Sequence, residues 1–247
     1  MRRYRNYGYG YGGWPVYVPA AERRRRALSK LKSMQKKGKP LSPVEIQGRQ
    51  IVTTFWGKAW CEHLETYSDY ENRLPRGRSY IRNGSVLDLQ ISQGKVMAQV
   101  SGSHLYTITI QIKPLDQKKW KDIINTCAGK IDSLIELLQG RLSRGVMENL
   151  THRERGMFPS PRQISFKCSC PDWASMCKHV AATLYGVGAR LDHKPELLFI
   201  LRGVDKEDLL KAGTRMAALS RKARSGQKKR PALKRQDLSK LFYIELV

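Results

Sequence analysis

The stretch Ile164-Ser165-Phe166-Lys167-Cys168-Ser169-Cys170-Pro171-Asp172-Trp173, followed by Cys177-Lys178-His179-Val180, decides how this chain is read. Alternate residues of an extended strand share a face, so Ile164, Phe166, Cys168 and Cys170 point one way and Ser165, Lys167 and Ser169 the other. Two sulfurs thereby converge. Pro171-Asp172 stops the strand, and Trp173 offers a large apolar anchor. Cys177-Lys178-His179 stands just before a helix whose apolar positions are Val180, Leu184, Val187 and Leu191. Positions i and i+2 diverge on a regular helix, so Cys177 and His179 share one ion only if Cys177 lies at or before the helix start. There the positive helix end favours the thiolate. Three sulfurs and one imidazole nitrogen form a soft tetrahedral set that selects zinc, and four protein ligands leave no open position for water. The expectation is one structural zinc ion on Cys168, Cys170, Cys177 and His179.

Five cysteines are an odd number, and three of them fall within this short stretch, which reads as a metal cluster in a reducing compartment rather than a disulfide framework. Cys61 and Cys127 are left over and read as small buried hydrophobes. Upstream, three runs alternate with period two: Leu87, Leu89 and Ile91; Val96, Ala98 and Val100; Tyr106, Ile108, Ile110 and Ile112. Their connections are short and carry Gly94 and Gly102, which predicts an antiparallel three-stranded meander covered by helices on its apolar side. Helices are predicted around Ala59 to Tyr67, from a cap at Asp116 with Trp120, Ile123, Ile124 and Cys127 inward, along Ile131, Leu134, Ile135 and Leu138 to Gly140, and over Leu142 to Leu150. The fold class is therefore α+β: the meander with its helices, then a small zinc module of strand and helix, then a helical C-terminal part.

Residues 1–49 read as a basic, Tyr/Gly/Arg-rich tail, with Tyr7 to Gly13 of low complexity and Arg23 to Arg26 ahead of Lys30, Lys32, Lys36, Lys37 and Lys39. It stands either as a solvated tail or as a nucleic-acid arm, helical over Ala20 to Lys37 on a partner with Leu28, Leu31 and Met34 on one side. The globular part starts with an α+β domain over 50–150, and the zinc module follows at 158–192. Short helices occupy 193–213 (Pro195 to Leu201, and Asp205 to Lys211 capped by Asp205), a basic linker 214–236, and a C-terminal docking segment 237–247.

Over 247 residues, 46 Lys and Arg against 21 Asp and Glu give a formal charge of +25. Such a surface seeks polyanions, nucleic acid first, with an acidic protein or anionic lipid as the other choices. The Arg-rich N-terminus continues with Tyr and Gly instead of the apolar run of a signal peptide, and the longest apolar runs, such as Leu197 to Leu201, fall far short of the roughly 20 residues of a spanning helix. This predicts a soluble cytoplasmic protein without a membrane role. Asp69, Glu71, Asp88, Asp116, Asp122, Asp132 and Glu136 are scattered, His152 and His193 lack evident partners, and no G-x-x-x-x-G-K-[ST] loop is present.

The order Cys168-x-Cys170, six residues, then Cys177-x-His179 before an apolar helix resembles the SWIM zinc finger, and Cys168-Ser169-Cys170-Pro171-Asp172-Trp173 with Cys177-Lys178-His179-Val180-Ala181 looks like a close match. Phe55-Trp56-Gly57 with Trp60, Arg76-Gly77-Arg78-Ser79-Tyr80, Gly84-Ser85-Val86 and Pro195 to Gly203 are similar to the rest of the stand-alone bacterial SWIM proteins. The resemblance covers most of residues 50–247. It implies a zinc-dependent ββα module that binds nucleic acid or protein, in companions of Swi/Snf-type ATPases and in transposases. The resulting expectation is a non-enzymatic zinc protein that binds DNA or RNA as accessory subunit of such an ATPase, with a protein-interaction adaptor as the alternative. Candidate nucleic-acid contacts are Arg76, Arg78, Tyr80 and Arg82, on a loop loosened by Gly77 and Gly84, and a patch of Arg162, Lys167 and Lys178 around the finger. For each group the other reading is an ordinary solvated surface.

Overall fold

β-Branched and aliphatic residues at every second position draw the chain into a sheet whose register fixes everything around it. The structure is a computed structural model that describes residues 19–38, 40–69, 72–128 and 142–226. In chain order its elements are α1 (Ala20–Lys36), α2 (Phe55–Glu65), α3 (Arg73–Arg82), β1 (Val86–Ser92), β2 (Lys95–Ser101), β3 (Leu105–Ile112), α4 (Gln117–Ala128), α5 (Arg144–Leu150), a 3-10 turn (Pro161–Gln163), β4 (Ile164–Cys168), α6 (Lys178–His193), α7 (Leu197–Arg202) and α8 (Glu207–Gly226). The stripe from Ile131 to Gly140, the first eighteen residues and the segment 237–247 lie outside the described residues.

Contacts gather the chain into two units, one running to Pro114 and resuming over Phe158–Gly203, the other formed by Leu115–Met157 and the residues from Val204 on. In the first unit the sheet is antiparallel in the order β1-β2-β3-β4. The three-stranded meander is as the sequence reads, with Val96, Ala98, Val100, Ile108 and Ile110 buried. A register shift between Val86 and Asp88 breaks the alternation of β1, so that Val86 and Leu87 are both buried. The fourth strand corrects the sequence reading, which sets Ile164 to Cys170 apart in its own ββα module. β4 pairs with β3, placing Ile110 opposite Phe166 and Ile108 opposite Cys168, and no second strand occurs among residues 158–192. Phe166 and Cys168 match the apolar face of β3, which is why the strand joins this sheet.

α6 packs on all four strands and carries α2 and α3 on its other side. Covered all round, it is apolar all round: Val180, Ala181, Ala182, Leu184, Val187 and Leu191 are buried. Trp60 of α2 is fully buried and donates its indole N–H to the Leu184 carbonyl at 3.0 Å. Burial and the Glu65 and Asp192 carboxylates push the Cys61 thiol up to about 12, so it stays protonated and packs as a hydrophobe. Cys127 is buried in α4. Arg76 to Arg82, expected on a loop, belong to α3. Gly77 lies inside this helix, and a Cβ there would come within 2.6 Å of the Ala181 Cβ; its role is close helix approach rather than loop freedom. Gly84, with φ +65°, ends that helix.

Residues expected as tail also carry structure. α1 packs against β2 with Ala27 buried. Further on, the Val44 N–H donates to the Val86 carbonyl (3.1 Å) and the Leu89 N–H to the Ser42 carbonyl (2.9 Å), so this segment runs along the free edge of β1. At the other end of the unit, Arg202 is fully buried and donates to the Lys113 carbonyl (2.8 Å) and to Gln163 Oε1 (3.2 Å). Burial lowers its guanidinium to about 10, still a cation at neutral pH.

In the second unit Asp116 caps α4 by accepting from the Lys119 N–H (3.0 Å), and the Trp120 indole donates to Asp208 of α8 (3.0 Å). α8 begins with the Asp205 cap but continues to Gly226, through residues expected as linker. Ala, Leu, Lys and Arg fill this stretch, all strong helix formers, and no proline interrupts it. Among the described residues no helix is long and apolar enough to cross a membrane.

Candidate metal centre

β4 ends at Cys168, and the pairing with β3 carries on one residue further: the Ser169 N–H donates to the Thr107 carbonyl (3.1 Å) and the Thr107 N–H to Ser169 Oγ (3.0 Å). Cys170 leaves the sheet from this fixed point. Cys177 is the N-cap of α6 with φ −67° and ψ 166°, outside helical geometry, as a shared ligand pair with His179 requires. Ligand atoms of Cys168, Cys170, Cys177 and His179 all lie within 4.8 Å of one another. His179 Nδ1 is 3.9 Å from the sulfurs of both Cys168 and Cys177. A tetrahedral ion with bonds of about 2.3 Å to sulfur and about 2.0 Å to nitrogen separates its ligand atoms by roughly 3.5–3.8 Å, so this set fits. The four groups form a cluster able to hold one metal ion.

The loop between the ligand pairs is braced from outside. Asp172 accepts from Arg73 Nη2 (3.1 Å) and from the Ala174 N–H (3.3 Å), in an ion pair whose side chains are only 16% and 13% exposed. Asp69 accepts from the Ser175 N–H (2.8 Å) and the Met176 N–H (3.3 Å). Burial works to raise the Asp69 carboxyl, but these amides hold it below the usual carboxylate range. The His179 ring lies flat against Tyr106 (centroids 4.2 Å apart, 29° between planes) and edge-on to Tyr80 (5.2 Å, 74°). A Cβ on Gly102 would fall 2.9 Å from the Tyr106 ring and 3.2 Å from His179 Nε2, so this glycine makes room for the stack.

The cysteines do not share charge equally. The Cys168 thiol donates to Cys177, and with His179 and the Val180 amide it lowers Cys177 to about 4 against the opposing effect of burial. Cys168 is raised in turn, by its role as donor to Cys177 and by burial. Cys168 first, then His179 and the Val180 amide at the helix start, thus favour thiolate at Cys177, the form that ligates metal.

The candidate cations occupy separate places. Arg78 donates to Glu65 Oε1 (2.8 Å) and to the Tyr185 hydroxyl (2.7 Å), tying α3 to α2 and α6. Arg82 donates to the Arg49 carbonyl (3.0 Å). Arg76 is exposed and Tyr80 half-buried against His179. Lys178, half-buried, opens α6; Lys167 points to the sheet face opposite Cys168; Arg162 sits in the 3-10 turn at the far end of β4. Trp173 is not the anchor expected: it is 78% exposed, while Ala174 and Met176 turn inward. Tyr106, Asp69 and Arg73 escaped the sequence reading. The one signal for Tyr106 is its place on the apolar face of β3; the two braces carry none, because 99 to 107 residues separate them from the loop.

Over 163 residues, 65% of this chain, the sequence is 36% identical to "Uncharacterized protein Rv2102" of Mycobacterium tuberculosis, and the chain spans 58% of that relative's length. No family model matches the chain, and no solved structure does.

Proposed function

We propose that this protein is a non-enzymatic zinc protein of the SWIM type that binds nucleic acid as accessory subunit of a Swi/Snf-type ATPase. The observation that carries the reading is the closed ligand set: three sulfurs and one imidazole nitrogen meet in one place, a donor set that suits zinc and leaves no coordination position for a reacting water. The net charge of +25 supports a polyanionic partner. The absence of catalysis is supported by what the acidic groups do: Asp69 braces a loop, Asp88 accepts from the Ser42 N–H (2.9 Å), and Asp116 caps a helix. His152 accepts the Glu154 and Arg155 amides and closes a turn. The ATPase partner comes from the motif resemblance.

The test is binding of the full chain to duplex DNA and to RNA across a salt series. Affinity should fall steeply with salt, with a log–log slope of about −0.9 for each phosphate neutralised on the duplex. Purification with and without nuclease, followed by identification of retained protein, separates a nucleic-acid binder from an adaptor. Affinity that is absent at low salt, or indifferent to salt, favours the adaptor.

A further inference from the structure

In the first unit a cavity of about 460 Å³ opens between α1, the segment that follows the β1 edge, and the C-terminal end of α3. Arg24, Arg82, Glu45, Gln47, Gly48 and Gly84 line it. At both glycines no atom among the described residues lies within 4 Å of where a Cβ would stand, so bare backbone faces open space. Far from the metal ligands in sequence, these residues belong to no part of the site already described.

The two arginines arrive there with donors to spare. On α1, Glu22 pairs with Arg25 (2.6 Å) and Arg26 (2.8 Å), while Arg24 makes no ion pair or side-chain hydrogen bond among the described residues. Arg82 is anchored through Nε on the Arg49 carbonyl (3.0 Å), and its Nη groups have no acceptor among the described residues. Glu45 is the acidic residue of the lining, yet it forms an ion pair with neither arginine. A single exposed arginine assigns nothing, because exposed cations are common. Here two of them, from separate elements, share one concave surface with a carboxylate that neutralises neither.

We propose that this cavity binds a nucleoside phosphate, with its phosphoryl oxygens on Arg24 and Arg82 and its hydroxyl or amino donors on Glu45 and Gln47. The planar guanidinium matches phosphate with paired N–H groups, and two of them hold the anion from two sides. The volume lies within the roughly 300–1,000 Å³ of small-ligand sites. Inorganic phosphate alone would leave the Glu45 carboxylate facing like charge, whereas a ligand that also carries hydroxyl or amino donors satisfies both signs. The group arrives free or as one unit of a strand. In the second case the inference rests on the nucleic-acid reading above and gives the strand a fixed point on the folded body.

The experiment titrates the zinc-loaded full chain at one salt concentration, with AMP and with inorganic phosphate by calorimetry, and with labelled oligo-rA by fluorescence anisotropy. The variants are R24Q, R82Q, E45A and R25Q, the last removing the same charge from α1 outside the cavity lining. Zinc content and thermal midpoint should match the wild type in R24Q, since Arg24 holds no other group in place, so this variant decides even where R82Q disturbs the end of α3. R24Q and R82Q should each weaken AMP or oligo-rA about tenfold, with R25Q within about twofold of wild type. Loss on AMP assigns a free nucleotide, loss on oligo-rA alone a strand, and either supports the site. E45A should weaken AMP without weakening inorganic phosphate; a rise in both affinities would show that Glu45 only repels the anion and would overturn the nucleoside half of the assignment. Equal losses in R24Q and R25Q overturn the site in favour of bulk charge. Wild-type affinity retained in R24Q overturns it too, while leaving nucleic-acid binding in place elsewhere. A wild type that binds neither AMP nor oligo-rA removes the site and the nucleic-acid reading together.

Discussion

At Cys177 the chain meets two demands with one residue: a sulfur must turn back toward Cys168 and Cys170, and a helix must begin. The N-cap position meets both, since its φ and ψ are not helical. The motif residues were legible because strand parity and the i, i+2 restriction act over short distances. Asp69 was not, since it reaches Ser175 and Met176 across 106 and 107 residues. Its amide bonds hold the carboxyl low, so the carboxylate's contribution to stability is present at neutral pH and is lost as pH falls through its depressed folded value. Asp69→Ala leaves two amides without their acceptor. Hydrogen exchange at Ser175 and Met176 should speed up, and metal should be lost faster to a chelator than from wild type. Unchanged exchange at both amides would show that the loop is held by other contacts.

At the scale of elements, α3 shows where propensity misleads. Glycine inside a helix costs about 1 kcal/mol relative to alanine, so Gly77 read as a loop residue. The close packing of α3 on α6 overrides that cost, because the space that alanine needs is taken by the Ala181 methyl. Gly77→Ala should therefore destabilise by about 1–3 kcal/mol despite its higher helix propensity, read as a lower midpoint in denaturant titration. A gain in stability would mean that the helices do not approach this closely. The strands show the converse. Their alternation was plain in sequence, but the pairing of β4 with β3 was not, because Ile108 and Cys168 lie sixty positions apart and no local signal marks the pairing. A still longer separation in sequence hides the Tyr106 stack on His179.

At the scale of the whole molecule, the metal ligands sit on core elements of the first unit rather than on a detachable finger. β4 is an edge of its sheet and α6 is its central helix. Structural zinc in small fingers contributes on the order of 10–16 kcal/mol near neutral pH, so the ion would tie these two elements together and its loss would reach the core. Composition made the charge legible, but its distribution was not. Arg78 is spent on Glu65 and Tyr185, while Arg82, bonded to the Arg49 carbonyl, and Arg76 both stay exposed. The most direct measurement is elemental analysis of protein purified without added metal, on the wild type and on Cys177→Ser and His179→Ala. The wild type should carry one zinc per chain, and both variants should have lost it together with a lower unfolding temperature. Wild-type protein without zinc, or variants that retain the full amount, would contradict the assignment of Cys168, Cys170, Cys177 and His179 as its ligands.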